Sequence, residues 1–369
     1  MSARGGVASL SGVLSPAQAR ATAASIAAAQ EPDGAIPLAP GEHGDVWNHL
    51  EAAMALLVGG ERAAAARARD WCLATQRADG SWPMRVRAGV VADPSGDTNH
   101  AAYLAVATWH YWLVRREVSE VRRLWPAVRR ALDWVCERQR PFGGFAWSQE
   151  WQGGGPGPVS QDALLTGSAS IHHALRAGVA LATLLDRPQP EWELAGGRAA
   201  HALREHRDLF LDKSVFSMDW YYPVLGGAVR GEPAQALLAS RWEEFVVPGL
   251  GIRCLATNPW VTGAETCELV LALDALGDRA RAFRLFADMQ HLRHASGGYW
   301  TGYVYPDDAF WPVEQSTYTA AAVLLAADAL GGVTGGADLV RGAAFGPPFA
   351  ELALECGCPS TDGIARLAR

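Results

Sequence analysis

Apolar and amphipathic segments alternate along the chain, and the alternation recurs six times. The apolar segments carry few charges and begin behind an acidic residue, as in GDVWNHLEAAMALL from Gly44 and GDTNHAAYLAVATW from Gly96. The segment before each of them is amphipathic, as in ERAAAARARDWCLAT ahead of Gln76. A helix that is apolar on every side has to be buried, whereas an amphipathic helix buries one face. The pattern therefore predicts pairs made of one outer and one inner helix.

The predicted helices pair up without a linker between the pairs. Inner helices are expected at 45–59, 97–115, 162–185, 219–230, 263–277 and 314–330, and outer ones at about 16–30, 61–76, 118–139, 190–208, 233–246 and 278–293. Six such hairpins hide their apolar members most economically as an inner ring within an outer ring. We expect an all-α (α/α)6 toroid that forms a single domain over 1–369, with a core at about 16–330 and an irregular C-terminal extension at about 331–369.

A Gln-x-x-x-Gly pattern ends three of the predicted outer helices, at Gln30/Gly34, Gln76/Gly80 and Gln139/Gly143. In the second copy Gly80 turns the chain, and Pro83 prevents the same helix from resuming. Trp82 lies between them as an anchor. We expect Gln76 and Trp82 to be structural, with the indole packed between hairpins.

Charge and cysteine content narrow the classes of function. A net charge of -7 and a pI near 5.8 argue against a nucleic-acid or anionic-membrane surface. The N-terminus lacks the apolar segment of a signal peptide, so we expect a soluble, cytoplasmic protein without a membrane partner. Four cysteines are predicted to be reduced and buried, and the other two to be able to form a local pair: Cys72, Cys136, Cys254 and Cys267, then Cys356 and Cys358. The sequence contains no C-x-x-C ladder and no Walker-type GxxxxGK[ST] loop, and we expect neither a metal nor a cofactor.

Acidic residues stand at the start of every predicted inner helix: Asp45, Asp97, Asp162, Asp219, Glu265 and Glu314. An acid at a helix start is most often a cap, and the run from Thr262 to Glu265 matches a capping box. In a ring, however, all six starts face the same end, which brings carboxylates, histidines and tryptophans to one concave face. Two carboxylates across a groove are what glycoside hydrolysis requires, and aromatic rings stack on sugars.

Within this set we expect Glu265 to be the general acid and Asp45 the base or nucleophile. Glu265 precedes an apolar run, which favours its protonated form, whereas the polar neighbours of Asp45 favour the ionised form. The first and fifth inner helices are not neighbours in a six-membered ring, so we favour a wide separation and inversion of configuration. The expected substrate-binding residues are Trp47, His49, Asp97, His100, Asp219, Trp220, Tyr222, Trp260, Trp311, Glu314 and Gln315.

Two family resemblances bear on these expectations. The run WCLATQRADGSW from Trp71 to Trp82 resembles the aromatic-x4-Gln-x3-Gly-x-Trp repeat of the squalene-cyclase and prenyltransferase β-subunit superfamily, which implies an (α/α)6 toroid. The Asp-x-Asp-Asp acid motif of its cyclases is absent here. The Asp-x-Cys spacing of its zinc-dependent prenyltransferases recurs at Asp70 and Cys72.

The helix starts at Gly44–His49 and Thr262–Glu265, within a toroid of this length, are most similar to the family of actinobacterial hydrolases of methylmannose polysaccharides. That resemblance implies cleavage of internal α-1,4-linked mannose or 3-O-methylmannose units of an oligo- or polysaccharide without a cofactor. It implies Asp45 and Glu265 as the acidic pair. Two alternatives remain at this point, a terpenoid- or prenyl-processing enzyme of the same fold and a non-catalytic carbohydrate-binding toroid.

Overall fold

The computed structural model describes residues 6–343, 345–346 and 349, and thirteen α-helices lie in this part of the chain. They are α1 (Pro16–Ala29), α2 (Val46–Gly59), α3 (Arg62–Thr75), α4 (Thr98–Arg115), α5 (Val118–Cys136), α6 (Leu165–Leu184), α7 (Pro190–Glu205), α8 (Ser217–Leu225), α9 (Gly231–Ser240), α10 (Trp242–Phe245), α11 (Gly263–Ala275), α12 (Arg279–Asp288) and α13 (Thr317–Gly331).

Helices α2, α4, α6, α8, α11 and α13 form a closed inner ring. Each packs against the next in this order, and α13 packs against α2. The remaining helices lie outside them, with α1 against α2 and α13, and α12 against α11 and α13. Nearly every residue of α2 and α13 is buried, whereas α3 buries one face, because its charged residues point outward. The predicted all-α toroid and its division into inner and outer helices are confirmed.

Three helices differ in extent from their predictions by several residues. The outer helix expected at 278–293 ends as α12 at Asp288, and a 3-10 helix follows it at Met289–Leu292. The fourth inner helix was expected at 219–230, but α8 ends at Leu225 because Gly226 passes close to α6 and Gly227 adopts a left-handed backbone with φ +81°. A Cβ at Gly226 would lie 2.2 Å from the carbonyl oxygen of Ala169. The expected outer helix at 233–246 is divided into α9 and α10.

Short strands that the sequence did not predict occupy the connections from outer to inner helices. They are β1 (Arg85–Arg87), β2 (Val90–Asp93), β3 (Gly96–Asp97), β4 (Ser148–Gln152), β5 (Gly155–Val159), β6 (Val246–Val247), β7 (Gly251–Arg253), β8 (Trp260–Thr262), β9 (Gly302–Val304) and β10 (Ala309–Phe310). They pair antiparallel as β1-β2, β3-β4-β5 and β10-β9-β8-β7-β6. Because β3 pairs with β4 and β8 with β9, neighbouring connections are tied together around one end of the ring, here called the mouth.

The Gln-x-x-x-Gly motif joins successive outer helices. The side-chain amide of Gln76 donates to the carbonyl oxygens of Gly80 and of Ala127 in α5, at 3.0 and 2.9 Å. Gln30 and Gln139 make the equivalent pairs of bonds, to α3 and α7. Gly80 has φ +101°, and a Cβ there would lie 2.3 Å from the Arg130 carbonyl oxygen. The motif therefore needs an amide donor at one end and a residue without a side chain at the other.

The anchor and the cysteines are placed largely as expected. Trp82 is 2 % exposed, and its indole N-H donates to the carbonyl oxygen of Cys72 at 3.2 Å. Cys72 and Cys267 are buried free thiols, whereas the thiols of Cys136 and Cys254 are free but only half-buried. The proposed pair of Cys356 and Cys358 lies outside the described residues.

The start of the C-terminal extension packs at the end of the ring opposite the mouth. A short 3-10 helix, Gly335–Asp338, contacts α4 and α13, and a Cβ at Gly336 would lie 2.5 Å from Nε2 of His110. Thr334 donates to Asp328 of α13 through its hydroxyl at 2.5 Å. The single-domain assignment over 1–369 stays a prediction. Within the described ranges, no helix combines the length and apolar character needed to cross a bilayer.

Candidate active site

Asp45 and Asp97 cap neighbouring inner helices and face the same imidazole. Asp45 Oδ1 accepts from the backbone N-H of Asn48 at 2.8 Å, and its Oδ2 accepts from the Asn48 side chain at 2.6 Å. Asp97 Oδ1 accepts from the backbone N-H of His100 at 3.1 Å. His100 Nε2 lies 3.9 Å from Asp45 Oδ1 and 3.9 Å from Asp97 Oδ2. Asp45 and Asp97 therefore cap their helices and also converge on His100 at the mouth.

The surroundings of Asp97 shift the pKa of its carboxyl group. Burial raises the pKa of Asp97, and the nearby charge of Asp45 adds to that rise, while His100 and two backbone hydrogen bonds oppose it. A second negative charge beside Asp45 is therefore disfavoured. The two carboxyl groups flank one imidazole, and a water molecule or a hydroxyl group can bind between them.

Glu265 lies in the first turn of α11 and is not engaged in capping. Thr262 occupies the N-cap position, yet its side chain makes no capping hydrogen bond, so the capping box suggested by the sequence does not form. Cys254 lies near Glu265, and burial, followed by the charge of Glu265, raises the pKa of the Cys254 thiol. Cys254 comes from the segment after β7, and nothing in the sequence linked it to Glu265.

One turn below the mouth, two buried glutamates accept hydrogen bonds from tyrosines on neighbouring inner helices. Glu51 of α2 accepts from the hydroxyl of Tyr103, and Glu268 of α11 accepts from three tyrosines. The partners of Glu268 are Tyr221, Tyr222 and Tyr318. Burial raises the pKa of Glu51 to about 7 and that of Glu268 to about 8, against the lowering effect of the tyrosine hydrogen bonds. We call these two glutamates and four tyrosines the acid-tyrosine layer.

Trp47 connects this layer to the mouth. Its ring centroid lies 4.9 Å from that of Tyr103 and 5.4 Å from that of Tyr318. Trp47 is 7 % exposed, and its indole N-H is buried without a hydrogen-bond partner among the described residues. Below the layer lies a cavity of about 50 Å³, which Trp47, Glu51 and Glu268 border at one end and Gly336 at the other.

The acid-tyrosine layer predicts how stability depends on pH. The folded-state pKa values of Glu51 and Glu268, about 7 and about 8, exceed the unfolded value near 4.5, so the folded protein binds more protons between these limits. Binding of these two protons contributes its full free energy to stability below pH 4.5, and this contribution is lost as pH rises to about 8. Buried histidines act in the opposite direction, but only below their unfolded pKa of 6.5, because burial lowers the pKa of His49 to about 4 and that of His110 to about 3.

Between pH 6.5 and about 8 we therefore expect the free energy of unfolding to fall as pH rises. Glu268→Gln keeps the shape and removes the charge, so its curve should be flatter than that of the wild type in this window. Urea unfolding at several pH values measures both curves. Parallel curves for the wild type and Glu268→Gln would show that Glu268 is already ionised in the folded protein.

Several other predicted residues also lie around the mouth. Asp219 accepts from the hydroxyl of Thr166 at 2.6 Å, which joins the starts of α8 and α6, and burial raises the pKa of Asp219. Glu314 accepts from the hydroxyl of Thr301 at 3.1 Å, and Gln315 from that of Ser296 at 2.9 Å. Tyr222 lies deeper, in the acid-tyrosine layer.

Trp260 and Trp311 form an edge-to-face pair at the rim, with ring centroids 5.0 Å apart. The indole N-H of Trp260 donates to the Trp311 carbonyl oxygen at 2.8 Å, and Trp311 is 56 % exposed. Val313, two residues on, is also exposed. The pair thus supports one open indole face, which is the usual platform for a sugar ring.

His49 and Trp220 are placed away from the predicted groove. Both ring nitrogens of His49 meet backbone groups, the N-H of Ile36 at 3.1 Å and the carbonyl oxygen of Ala68 at 2.9 Å, and the residue is 1 % exposed. Trp220 is 2 % exposed, stacks on Phe245 and donates to the carbonyl oxygen of Leu237 in α9. Their side chains face the outer ring, so we no longer place them in the groove.

The Asp-x-Cys run at Asp70 and Cys72 does not form a metal centre in this fold. Cys72 is buried in α3, whereas Asp70 faces outward and pairs with Arg123 at 2.7 Å. In the part of the chain that the structure covers, no group of three or more His, Cys, Asp or Glu side chains is placed to hold a metal ion.

Comparisons with known proteins bear on this site and its scaffold. The sequence matches no protein-family model. It is 51 % identical over 351 residues, which are 95 % of this chain and 96 % of the other, to the MMP endo-(1,4)-3-O-methyl-α-D-mannosidase of Mycolicibacterium hassiacum. A solved wild-type glycosidase has a TM-score of 0.69 at 17 % identity, over 86 % of this chain and 97 % of that one. A D-mannose isomerase has a TM-score of 0.64 at 12 % identity, over 84 % and 96 %. At these identities the two solved structures show a shared fold.

Proposed function

The chain belongs to the glycoside hydrolase family of the MMP endo-(1,4)-3-O-methyl-α-D-mannosidase, and on that premise we propose that it cleaves internal bonds of a 3-O-methylated mannose polysaccharide. The identity of 51 % over 95 % of the chain carries the proposal. The resemblance seen in the two helix starts is thereby confirmed at the level of the family. The mouth adds separate support, because it combines carboxylates with an exposed aromatic platform.

In this proposal Glu265 protonates the departing sugar oxygen and Asp45 activates water. Glu265 suits the acid because it is free of capping bonds and close to the buried Glu268, whose neighbourhood is poor in water. Asp45 suits the base because two hydrogen bonds from Asn48 fix its carboxylate and His100 lies beside it. The imidazole of His100 is placed to orient the water that Asp45 deprotonates.

The positions of the two helices favour inversion of configuration. Helices α2 and α11 each pack against α13, which lies between them in the ring. Carboxyl groups on helices separated in this way are expected at the wide spacing of about 6.5 to 9.5 Å, which leaves room for a water molecule. A retaining mechanism needs about 5 to 5.5 Å. We therefore propose direct displacement by water without a covalent intermediate.

Incubation with a methylated 1,4-mannan and measurement of new reducing ends tests the function. Endo cleavage gives products of intermediate length from the start, which mass spectrometry of early time points resolves. NMR of the first products identifies the anomer, and inversion at an α-linkage gives the β-anomer. Failure to release reducing ends from methylated and unmethylated mannans alike would exclude the proposed activity.

The exposed indole face that Trp260 and Trp311 form at the rim predicts that its loss changes KM and leaves kcat nearly constant. Trp311→Ala and Trp260→Ala should raise KM for a long substrate about two- to ten-fold, the loss expected for ~0.5–1.5 kcal/mol of stacking, with little change in kcat. Trp260 contributes because its indole supports Trp311. Val313→Ala is a matched control, since Val313 is 83 % exposed in the same loop. A fall in kcat at constant KM would instead place Trp260 or Trp311 in the reaction itself.

A further inference from the structure

The C-terminal extension crosses the end of the ring opposite the mouth. We call its described residues from the 3-10 helix onward the strap: 335–343, 345–346 and 349. At Gly336 the strap approaches α4 so closely that a Cβ would lie 2.5 Å from Nε2 of His110. Arg341 pairs with Asp274 of α11 at 2.7 Å and with Asp338 of the strap at 3.1 Å. Helices α4 and α11 are second and fifth in the ring, so the strap spans it from side to side.

Two histidines of α6 lie under the aromatic residues of the strap. His173 meets the ring of Phe345 edge to face, with centroids 5.4 Å apart. His172 meets Phe349 in the same geometry at 5.6 Å, and its Nδ1 lies 2.8 Å from the carbonyl oxygen of Gly226. Both histidines are buried. Each buried histidine of α4 and α6 therefore faces a residue of the strap.

The surroundings of these three histidines disfavour a positive charge. Burial lowers the pKa of each imidazole to about 3. For the two histidines of α6, the nearby charges of Arg176 and Arg230 act in the same direction, and for His172 that of Arg204 does so too. An imidazole that meets water when the strap leaves regains a pKa near 6.5. The docked strap thus excludes three protons that the uncovered histidines would bind below that pH.

Asp328 of α13 is the acid that faces the strap, and its effect has the opposite sign. Its carboxylate accepts from the backbone N-H of Thr334 at 2.8 Å and from the Thr334 hydroxyl at 2.5 Å. Burial raises the pKa of Asp328 to about 6, against the lowering effect of those bonds and of the charge of Arg341. The two glutamates of the acid-tyrosine layer, at the other end of the cavity, stay protonated at this pH. Release of the strap therefore binds three protons on histidines and frees one from Asp328.

We propose that the strap is an acid-operated device, which stays docked across the ring while the three histidines are neutral and detaches as they bind protons. The net uptake of two protons makes release about a hundred-fold more favourable for each pH unit between about 4 and about 6. The proposal is independent of the proposed hydrolase activity, because the residues of that activity lie at the mouth.

Hydrogen exchange of the full-length chain at about pH 6 and about pH 5 tests the proposal. The backbone N-H groups of Leu339 and Phe345 bond to carbonyl oxygens within the strap, so their protection, corrected for the intrinsic exchange rate, reports release. We expect this protection to fall by about a hundred-fold over that pH unit in the wild type. Protection of the amides of α2 should fall far less, because the inner ring stays folded.

His110→Phe combined with His173→Phe removes two titrating groups and keeps an aromatic ring at each position. Release then binds one proton on His172 and frees one from Asp328, so the protection of the strap should change by less than about three-fold. His173→Phe alone is a second variant in case the double variant does not fold, and its protection should fall about ten-fold. His294→Phe is the matched control in a connection at the mouth, and it should keep the wild-type response.

Equal pH responses of the wild type and of the folded double or single variant overturn the proposal, because other groups would then drive release. Protection of the strap that does not depend on pH also overturns it. Loss of protection in the strap and in α2 at the same pH and by the same factor would show that the whole ring unfolds, and it excludes a separately released strap.

Discussion

Asp45→Asn and Glu265→Gln should each lower kcat on the polysaccharide by about a hundred- to ten-thousand-fold, the usual contribution of a general acid or base. Both changes remove a titrating carboxyl group and keep its shape. Asparagine at 45 can still accept the helix-capping bond from Asn48, and Glu265 has no capping bond to lose. KM should therefore change by only a few-fold. Steady-state kinetics together with circular dichroism separate lost chemistry from lost structure.

Two other mouth carboxylates provide the controls for this pair. Asp219→Asn and Glu314→Gln alter groups bonded to Thr166 and Thr301, and they should leave kcat within about ten-fold of the wild type, because a bond to a hydroxyl is a positioning contact. Near-full activity of Asp45→Asn, with a large loss in Asp97→Asn, would transfer the base to Asp97. The two carboxylates face the same imidazole, so this is the nearest alternative.

The ring could be predicted because its inner helices are apolar on every side. A sequence such as TYTAAAVLLAADALG in α13 has no polar face to give to water, so burial was the only possibility. The small sheets could not be predicted, since strands of two to five residues are too short to show alternation. They form because neighbouring connections run side by side around the mouth, which is a consequence of the closed ring.

Two residues predicted for the groove lie elsewhere, and the reason is geometric. Successive residues on a helix point about 100° apart, so proximity to a helix start does not fix direction. His49 lies two positions after Trp47 and faces the outer ring, while Trp220 points outward and its neighbours Tyr221 and Tyr222 point inward. Counting helical phase from the apolar face would have separated these residues.

Glu51 and Glu268 were missed although the sequence contained a signal for them. Each is a glutamate flanked by apolar residues in the interior of an inner helix, where an unpaired carboxylate is unfavourable. That position predicts a buried, hydrogen-bonded acid. Its tyrosine partners come from other helices and follow only from the closure of the ring, which brings α4, α8 and α13 to the two glutamates.

Trp82→Ala should lower the free energy of unfolding by about 3 to 5 kcal/mol, the range for removal of a fully buried large aromatic side chain. The indole is 2 % exposed and donates to the Cys72 carbonyl oxygen, so the change leaves a cavity and removes one of the two hydrogen bonds that this oxygen accepts, while the bond from the Gln76 backbone N-H remains. Trp82 lies two residues after Gly80, next to the joint between α3 and α5 that the hydrogen bonds of the Gln76 amide form. The cavity therefore opens where two outer helices are held together, and neighbouring groups have little freedom to fill it.

Chemical denaturation gives the free energy of unfolding of Trp82→Ala and of Trp311→Ala, which is the same substitution at an exposed tryptophan. Trp311 is 56 % exposed, so removal of its indole should alter the free energy of unfolding by only about 0.5 kcal/mol. Trp82→Phe should fall between the two, because it keeps most of the buried ring and loses the bond to Cys72. Equal midpoints for Trp82→Ala and the wild type would mean that the hairpins hold together without the indole. The stability of this joint would then rest on the Gln76 amide and on the close approach of Gly80 to Arg130.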